Sequence, residues 1–367
     1  MRTGHRKWLL PATVLGGIAL ICFTLCLRTG QAGVMSPAQA LSNLITWARL
    51  SIARALQLPL YLEREELIAA HPYYLETIAR SKNTLMTFLS GAILALSGAV
   101  YQGVFRNPMA APTMLGVASG VNLGLLILTM QFGLDAYLMI RQRYVWCYAL
   151  ALVMLGLVLA LGRFAGRGRT SVTDMLLVGT VLTQMVNVVI SYFRFLMDDV
   201  QLEVFQELTM RGFTSNVSME GAAQSLLVLV LVMAAGGVPV LLMRFSFNAL
   251  SFSDEEARSL GVRPAVMRAV SLLCVTLLMT AAVLHCGSVG ILALVVPHLC
   301  RYWAGADFRR LYWSSALYGG LLLTACRAVS SLIYIEGYGS FPLGPIATLI
   351  AMPVLAFALA KGRRGWE

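Results

Sequence analysis

Three adjacent acids, Asp254, Glu255 and Glu256, stand in the stretch FSFNALSFSDEEARSLGVRPAVMR, between two long apolar runs of a chain with only 17 acidic residues. Ser253 before them is a natural helix N-cap. Acids in a first turn suit the positive end of the helix dipole, and Gly261 is a natural terminator. The spacing predicts a short capped helix whose chemistry is recognition: clustered carboxylates suit a basic or polar partner surface. A second stretch, GSVGILALVVPHLCRYWAGADFRR, places Pro297, His298 and Arg301 near one end of an apolar run. Pro297 frees a carbonyl inside a helix. A lone histidine at a helix end is more often a structural hydrogen-bonding group than a ligand, and Arg301 reads as a snorkelling anchor. A third stretch, SGAVYQGVFRNPMAAPTMLGVASGVNLG, carries small residues, Gly116 among them, that let helices approach closely. Asn107 and Pro108 break the chain within it. The seven cysteines form no Cys-x-x-Cys pair, so neither a zinc site nor a disulfide framework is signalled, and no metal is expected.

The elements that position these residues follow from composition. The 367 residues are 58% hydrophobic and 12% charged, about half the charge of a soluble domain. Apolar runs of about 20 residues match the thickness of a bilayer. Lipid requires every backbone polar group to be paired internally, and these runs are too uniformly apolar for alternating barrel strands. An all-α polytopic membrane protein is expected, with about ten transmembrane helices near 8–27, 83–104, 113–133, 145–163, 175–196, 222–243, 265–285, 288–303, 312–334 and 343–361. The first run, after a basic start, reads as a retained helix. The net charge of +11 lies mostly in short loops, which indicates orientation rather than nucleic-acid binding. Both termini and the acidic cluster are thereby expected to be cytoplasmic.

One transmembrane domain, 1–367, accounts for the chain. Within it lie an extended external segment, 28–82, and a cytoplasmic loop, 244–264. SPAQALSNLITWARLSIARAL predicts an amphipathic helix in the first, and DDVQLEVFQELTMRGFTSNVS a short helix over the external mouth. Polar residues of the fifth run, Gln184, Asn187 and Arg194, either line a pathway or bond between helices.

In order along the chain, SGAVYQGVFRNPMAAPTMLGVASG, LSFSDEEARSLGV, GSVGILALVVPHLCR with GADFRR, and FPLGPIATLIAMPVLAFAL resemble the four motifs of the iron-complex (siderophore/haem)/cobalamin permease family of ATP-binding cassette importers. The resemblance covers about residues 80–361. It implies that the loop 248–262 docks into an ATPase subunit, with Asp254, Glu255, Glu256, Ala257, Leu260 and Gly261 at the coupling positions. It implies docking of an external substrate-binding protein near Arg80 and Lys82, and a pathway along the fifth span. The implied partners are a second permease copy or paralogue and two cytoplasmic ATPases, with membrane lipid around them. Departures occur at RSKN, where the family has an RxPR pattern, and at ACRAVS in the ninth span. The second leaves Arg327 within a span, either replacing a docking charge or snorkelling outward.

The chain has no Gly-x-x-x-x-Gly-Lys-Ser/Thr, so ATP and magnesium are expected on the partner ATPase and no cofactor or catalytic residue on this chain. The function implied is import of a bulky metal chelate across the bacterial cytoplasmic membrane. A ferric siderophore is the first choice of cargo, with haem or cobalamin next. The alternative is an ion-coupled secondary transporter, which would need acids within its spans. His285 and Cys286 can each ligate haem iron, but adjacent residues rarely face one metal together.

Overall fold

A computed structural model describes residues 22–26, 36–55, 73–133, 135–166, 172–214, 219–335 and 339–362. The first predicted span therefore lies outside the described residues except for 22–26, which are helical. Each of the other nine predicted spans is largely helical among the described residues, with 288–290 and 333–334 among the positions outside the helices. In chain order the elements are α1 (Pro37–Ala55), α2 (Tyr74–Val104), α3 (Val117–Phe132), α4 (Ala136–Ala165), α5 (Val172–Leu196), α6 (Asp199–Arg211), α7 (Met219–Val232), α8 (Val238–Leu242), α9 (Arg244–Leu250), α10 (Asp254–Ser259), α11 (Pro264–Cys286), α12 (Ile291–Ala304), α13 (Phe308–Leu332) and α14 (Leu343–Gly362). Five helices among the described residues are long and apolar enough to cross a membrane, and three shorter ones are apolar. The strands found there are a two-residue antiparallel pair, Tyr334–Ile335 with Gly339–Ser340.

The helix α2 is the hub. It is buried along most of its length and packs on α11, α12 and α13. The approach to α12 is closest at Gly98, where an added Cβ would lie 1.6 Å from the carbonyl oxygen of Ala293. Ala293 is four residues before Pro297, so this carbonyl lacks its helical donor. One residue on, Gln102 Nε2 donates to the Leu294 carbonyl at 3.1 Å. Small residues and a proline thus set one helix crossing together.

Two expectations are corrected. The helix of the second predicted span starts earlier than residue 83: α2 begins at Tyr74, nine residues before it. Asn43 Nδ2 donates to Thr77 Oγ1 at 3.0 Å and ties α1 to this early turn. The amphipathic helix itself forms as α1, opened by a reciprocal Ser36–Gln39 cap. The sixth run is not one regular helix. A π-helical turn, Met233–Gly237, separates α7 from α8, and Tyr312 donates to the Gly237 carbonyl at 3.0 Å. Pro239 two residues later favours such a break, since its missing amide disturbs the regular ladder.

Gly98→Ala is expected to cost at least the overpacking range of about 1–3 kcal/mol. It should lower the Tm of the detergent-purified chain, whereas Gly156→Ala, with open space around it, should not. Differential scanning fluorimetry of both variants checks this.

Candidate functional site: the 244–264 loop

The acidic stretch folds as its sequence predicts. Ser253 caps α10: its Oγ accepts from Glu256 N at 3.2 Å, and Glu256 Oε2 accepts from Ser253 N at 2.8 Å. The bond from the Ser253 backbone holds the Glu256 carboxyl below its ordinary range. Leu260 closes the helix and Gly261 follows at φ +82°, a conformation that favours glycine.

The loop is fastened to three helices. Asp254 accepts both Nη1 and Nη2 of Arg268, at 2.9 and 2.7 Å, and Nη2 of Arg106 at 2.6 Å. Arg106 follows α2 and also donates through Nε to the Leu250 carbonyl at the end of α9. Arg268 lies in α11 and is buried. These bonds, led by that from Arg268, hold the Asp254 carboxyl below the usual carboxylate range. Phe247 stacks on Phe308 with ring centroids 4.2 Å apart. Asn248 donates to Asp307 Oδ1 and accepts from Phe308 N, both at 2.8 Å, which locks α9 to the start of α13.

The six predicted coupling residues therefore separate into two sets. Asp254 and the fully buried Ala257 serve the loop's attachment, while Glu255, Glu256, Leu260 and Gly261 stand exposed. Phe252, 55% exposed, joins Leu260, 62% exposed, on this knob. Sequence reasoning missed Phe252, and it missed Arg106, Arg268, Asn248 and Asp307 because their partners are distant in sequence. The SFS pattern before the acids was the available signal for Phe252.

The other predicted residues fall elsewhere. Arg80 is not a free external charge: it is 8% exposed and ion-paired with Glu76 one turn earlier in α2. Lys82 lies in the same stretch of α2, which at about 1.5 Å per residue is remote from the Arg106 end of this 31-residue helix. Asn107 Oδ1 accepts from Met109 N at 2.9 Å and shapes the Asn107-Pro108 turn. Gly116, at φ +73°, opens α3. Both positions serve the turn between α2 and α3. Pro297 sits inside α12, His298 makes an edge-on contact with Tyr302 at 5.9 Å, and Arg301 lies in the last turn. Gln184, Asn187 and Arg194 are exposed on α5. Gln184 Oε1 accepts from Asn187 Nδ2 at 3.2 Å, and Asn187 Oδ1 accepts from Ser119 on α3 at 3.3 Å.

Arg327 neither snorkels nor stands at the surface as a docking charge. It turns into the bundle, donating to Thr87 Oγ1 of α2 at 3.4 Å, with Cys26 and Cys286 nearby. His285 lies beside Arg143 and, at 6.5 Å between ring centroids, Tyr144. Arg143 was missed altogether. It is fully buried in α4, bonds Ser225 at 2.8 Å and Tyr144 at 3.0 Å, and lies over the ring of Phe213. Among the described residues no group of histidine, cysteine, aspartate and glutamate could hold a metal ion.

The sequence model of the FecCD transport family matches residues 19–361. The chain is 32% identical over 288 residues to the hemin transport system permease protein HmuU of Yersinia pestis, covering 77% of this chain and 82% of that one. It is 30% identical over 292 residues to the iron(3+)-hydroxamate import system permease protein FhuB of Bacillus subtilis, covering 78% and 71%. The fold is similar to that of a metal-chelate type ABC transporter solved in an inward-facing conformation. The TM-score is 0.73 at 22% identity, over 95% of this chain and 99% of that one.

A depressed Asp254 pKa adds stability above the unfolded carboxyl value, and that stability is lost as pH falls through the lower folded value. The Tm of the purified chain should therefore drop on acidification below about pH 4. Asp254→Asn should lower the Tm at neutral pH and flatten that acid-side drop, and Glu255→Gln should do neither. Tm against pH for the three proteins checks this.

Proposed function

Because the chain belongs to the FecCD transport family, we propose that it is the membrane permease subunit of an ATP-driven importer for a bulky metal chelate, with its 244–264 loop as the ATPase-coupling element. The observation that carries the reading is a rigidly fastened knob with an exposed apolar and acidic tip. Phe252, Glu255 and Leu260 face outward, while Asp254, Phe247 and Asn248 bind the knob to Arg106, Arg268 and the start of α13. A rigid projection that inserts into a soluble partner passes on a rigid-body movement.

In this reading about ten spans place both termini and the loop in the cytoplasm of a bacterium, with the permease in its inner membrane. Two ATPase subunits bind ATP and magnesium, and closure of their dimer pushes the knob. Arg106 passes the movement to α2, Arg268 to α11, and the Asn248 and Phe247 contacts to α13. No bond-making step falls to this chain. The external binding protein docks at the Tyr74 end of α2, where Lys82 remains a candidate contact and Arg80 positions Glu76.

The pathway forms between this permease and a second copy or a paralogue. The single chain leaves much of α5 uncovered, including Leu177, Met185, Val188 and Phe195, beside the polar pair Gln184 and Asn187. Such a mixed wall gives a large chelate weak contacts and leaves selection to the binding protein. The cargo class is metal chelate, with ferric siderophores first and haem or cobalamin next. Ion-coupled transport is less well supported: among the described residues no aspartate or glutamate is buried to carry the ion.

Because Glu256 also caps α10, the informative variants are Glu255→Arg and Leu260→Asp. Each should reduce co-purification of a P-loop ATPase from native membranes by about tenfold or more, as expected when a central interface contact is worth about 1.4 kcal/mol. Glu203→Arg on α6, also exposed, should leave co-purification unchanged. Retention of the ATPase by both loop variants would refute the coupling assignment.

A further inference from the structure

Where α9 meets the start of α13, a cavity of about 290 Å³ is lined by Arg244, Asp307, Arg309, Arg310 and Trp313. The guanidinium carbons of Arg244 and Arg309 lie 5.2 and 5.0 Å from the centroid of the same ring, Phe245. One aromatic ring therefore gathers two like charges. The third, Arg310, lines the same cavity, and among the described residues none of the three is in an ion pair.

Asp307 is the one acid of the lining. It leaves the cavity strongly positive, and its Oδ1 already accepts from Asn248 Nδ2 at 2.8 Å and from Arg309 N at 3.0 Å. Folding alone does not ask for this arrangement. Arg309 and Arg310 occupy the first turn of α13, where the helix dipole disfavours cations. An anion placed there would be favoured both by the guanidinium forks and by the helix end.

The surroundings identify the carrier of that anion. Trp313 of the lining is 59% exposed, and Phe245, which carries two of the lining guanidinium groups, is 57% exposed. They give the cationic cavity an exposed aromatic edge. Indole side chains favour the headgroup level of a bilayer, and basic pockets between spans bind acidic headgroups. Arginine forks match phosphate oxygens two at a time. We propose that this cavity binds the phosphate headgroup of an anionic phospholipid, with the acyl chains lying along Phe245 and Trp313. A free phosphate would leave the aromatic edge unused, and an acidic protein surface would have no need of it. Because Asn248 of the loop bonds Asp307 of the cavity wall, an occupied site also braces α9 against α13.

The proposal stands apart from the ATPase assignment and is tested without that partner. The full chain is delipidated in detergent and titrated with phosphatidylglycerol, phosphatidylcholine or inorganic phosphate, with native mass spectrometry and Tm as readouts. Wild type should retain phosphatidylglycerol in preference to phosphatidylcholine and gain Tm with it, and inorganic phosphate should not reproduce the gain. At the usual strength of a basic side chain near an anionic surface, each arginine lost should weaken binding about fivefold, and all three about a hundredfold. The variant is Arg244→Gln/Arg309→Gln/Arg310→Gln, and the control is Arg258→Gln/Arg263→Gln, exposed cations outside the cavity. If the triple variant does not fold, Arg309→Gln and Arg310→Gln separately should each show the single-step loss. Equal retention of both lipids by wild type, or unchanged phosphatidylglycerol binding in the arginine variants, would overturn the proposal. Full stabilisation by inorganic phosphate would make this a free-phosphate site instead.

Discussion

One carboxylate holding two guanidinium groups is the interaction on which the working end of this protein depends. Arg268 is 5% exposed, and a buried cation without a counter-charge is costly. Asp254 supplies that charge through a two-pronged bond and shares it with Arg106. The acid that the sequence shows as part of a surface cluster is thus the internal fastener, and its neighbours Glu255 and Glu256 are left to face outward. The same bond fixes where α10 sits relative to α2 and α11. A displacement of α10 would therefore act on helices and not on a slack loop.

The helix α2 carries the consequence through the bundle. It ends at Val104, two residues before Arg106, runs buried between α11, α12 and α13, and meets α12 without a side chain between them at Gly98. Close-packed interiors have little room to absorb displacement, so a shift at one end is passed on. The π-helical turn Met233–Gly237 is served by Tyr312 of α13, which donates to the Gly237 carbonyl, and Gln102 of α2 donates to the Leu294 carbonyl within the continuous α12, three residues before Pro297. Both bonds come from helices that the loop is tied to.

Much of this fold could be read from the sequence because lipid imposes a simple length rule on apolar runs. The cap of α10 could be read because its determinants, Ser253 and Glu256, are three residues apart. Features set by distant partners could not. Arg106 and Asp254 are 148 residues apart, and nothing local marks them as a pair. The early turn of α2 is tied down by Asn43, which donates to Thr77 Oγ1, so a hydropathy boundary at residue 83 falls too late. Arg80 looked like an external charge because its ion pair with Glu76 turns it inward only once that early turn exists. Arg143 sits in a stretch that looks like polar loop and becomes core only when Phe213 and Ser225 close over it. Among the described residues no element covers the exposed face of α5, so its apolar side chains have no packing partner to be read alongside them.

The central claim is that the 244–264 knob is the surface that meets an ATPase. A photo-crosslinking amino acid placed at Leu260 tests it most directly, with a second placed at Tyr192 near the far end of α5. After irradiation of native membranes, mass spectrometry identifies the captured chains. The account predicts a P-loop ATPase attached at residue 260 and none at residue 192. An ATPase captured from residue 192 and not from 260 would contradict it, because the orientation and the coupling element would then both be misassigned.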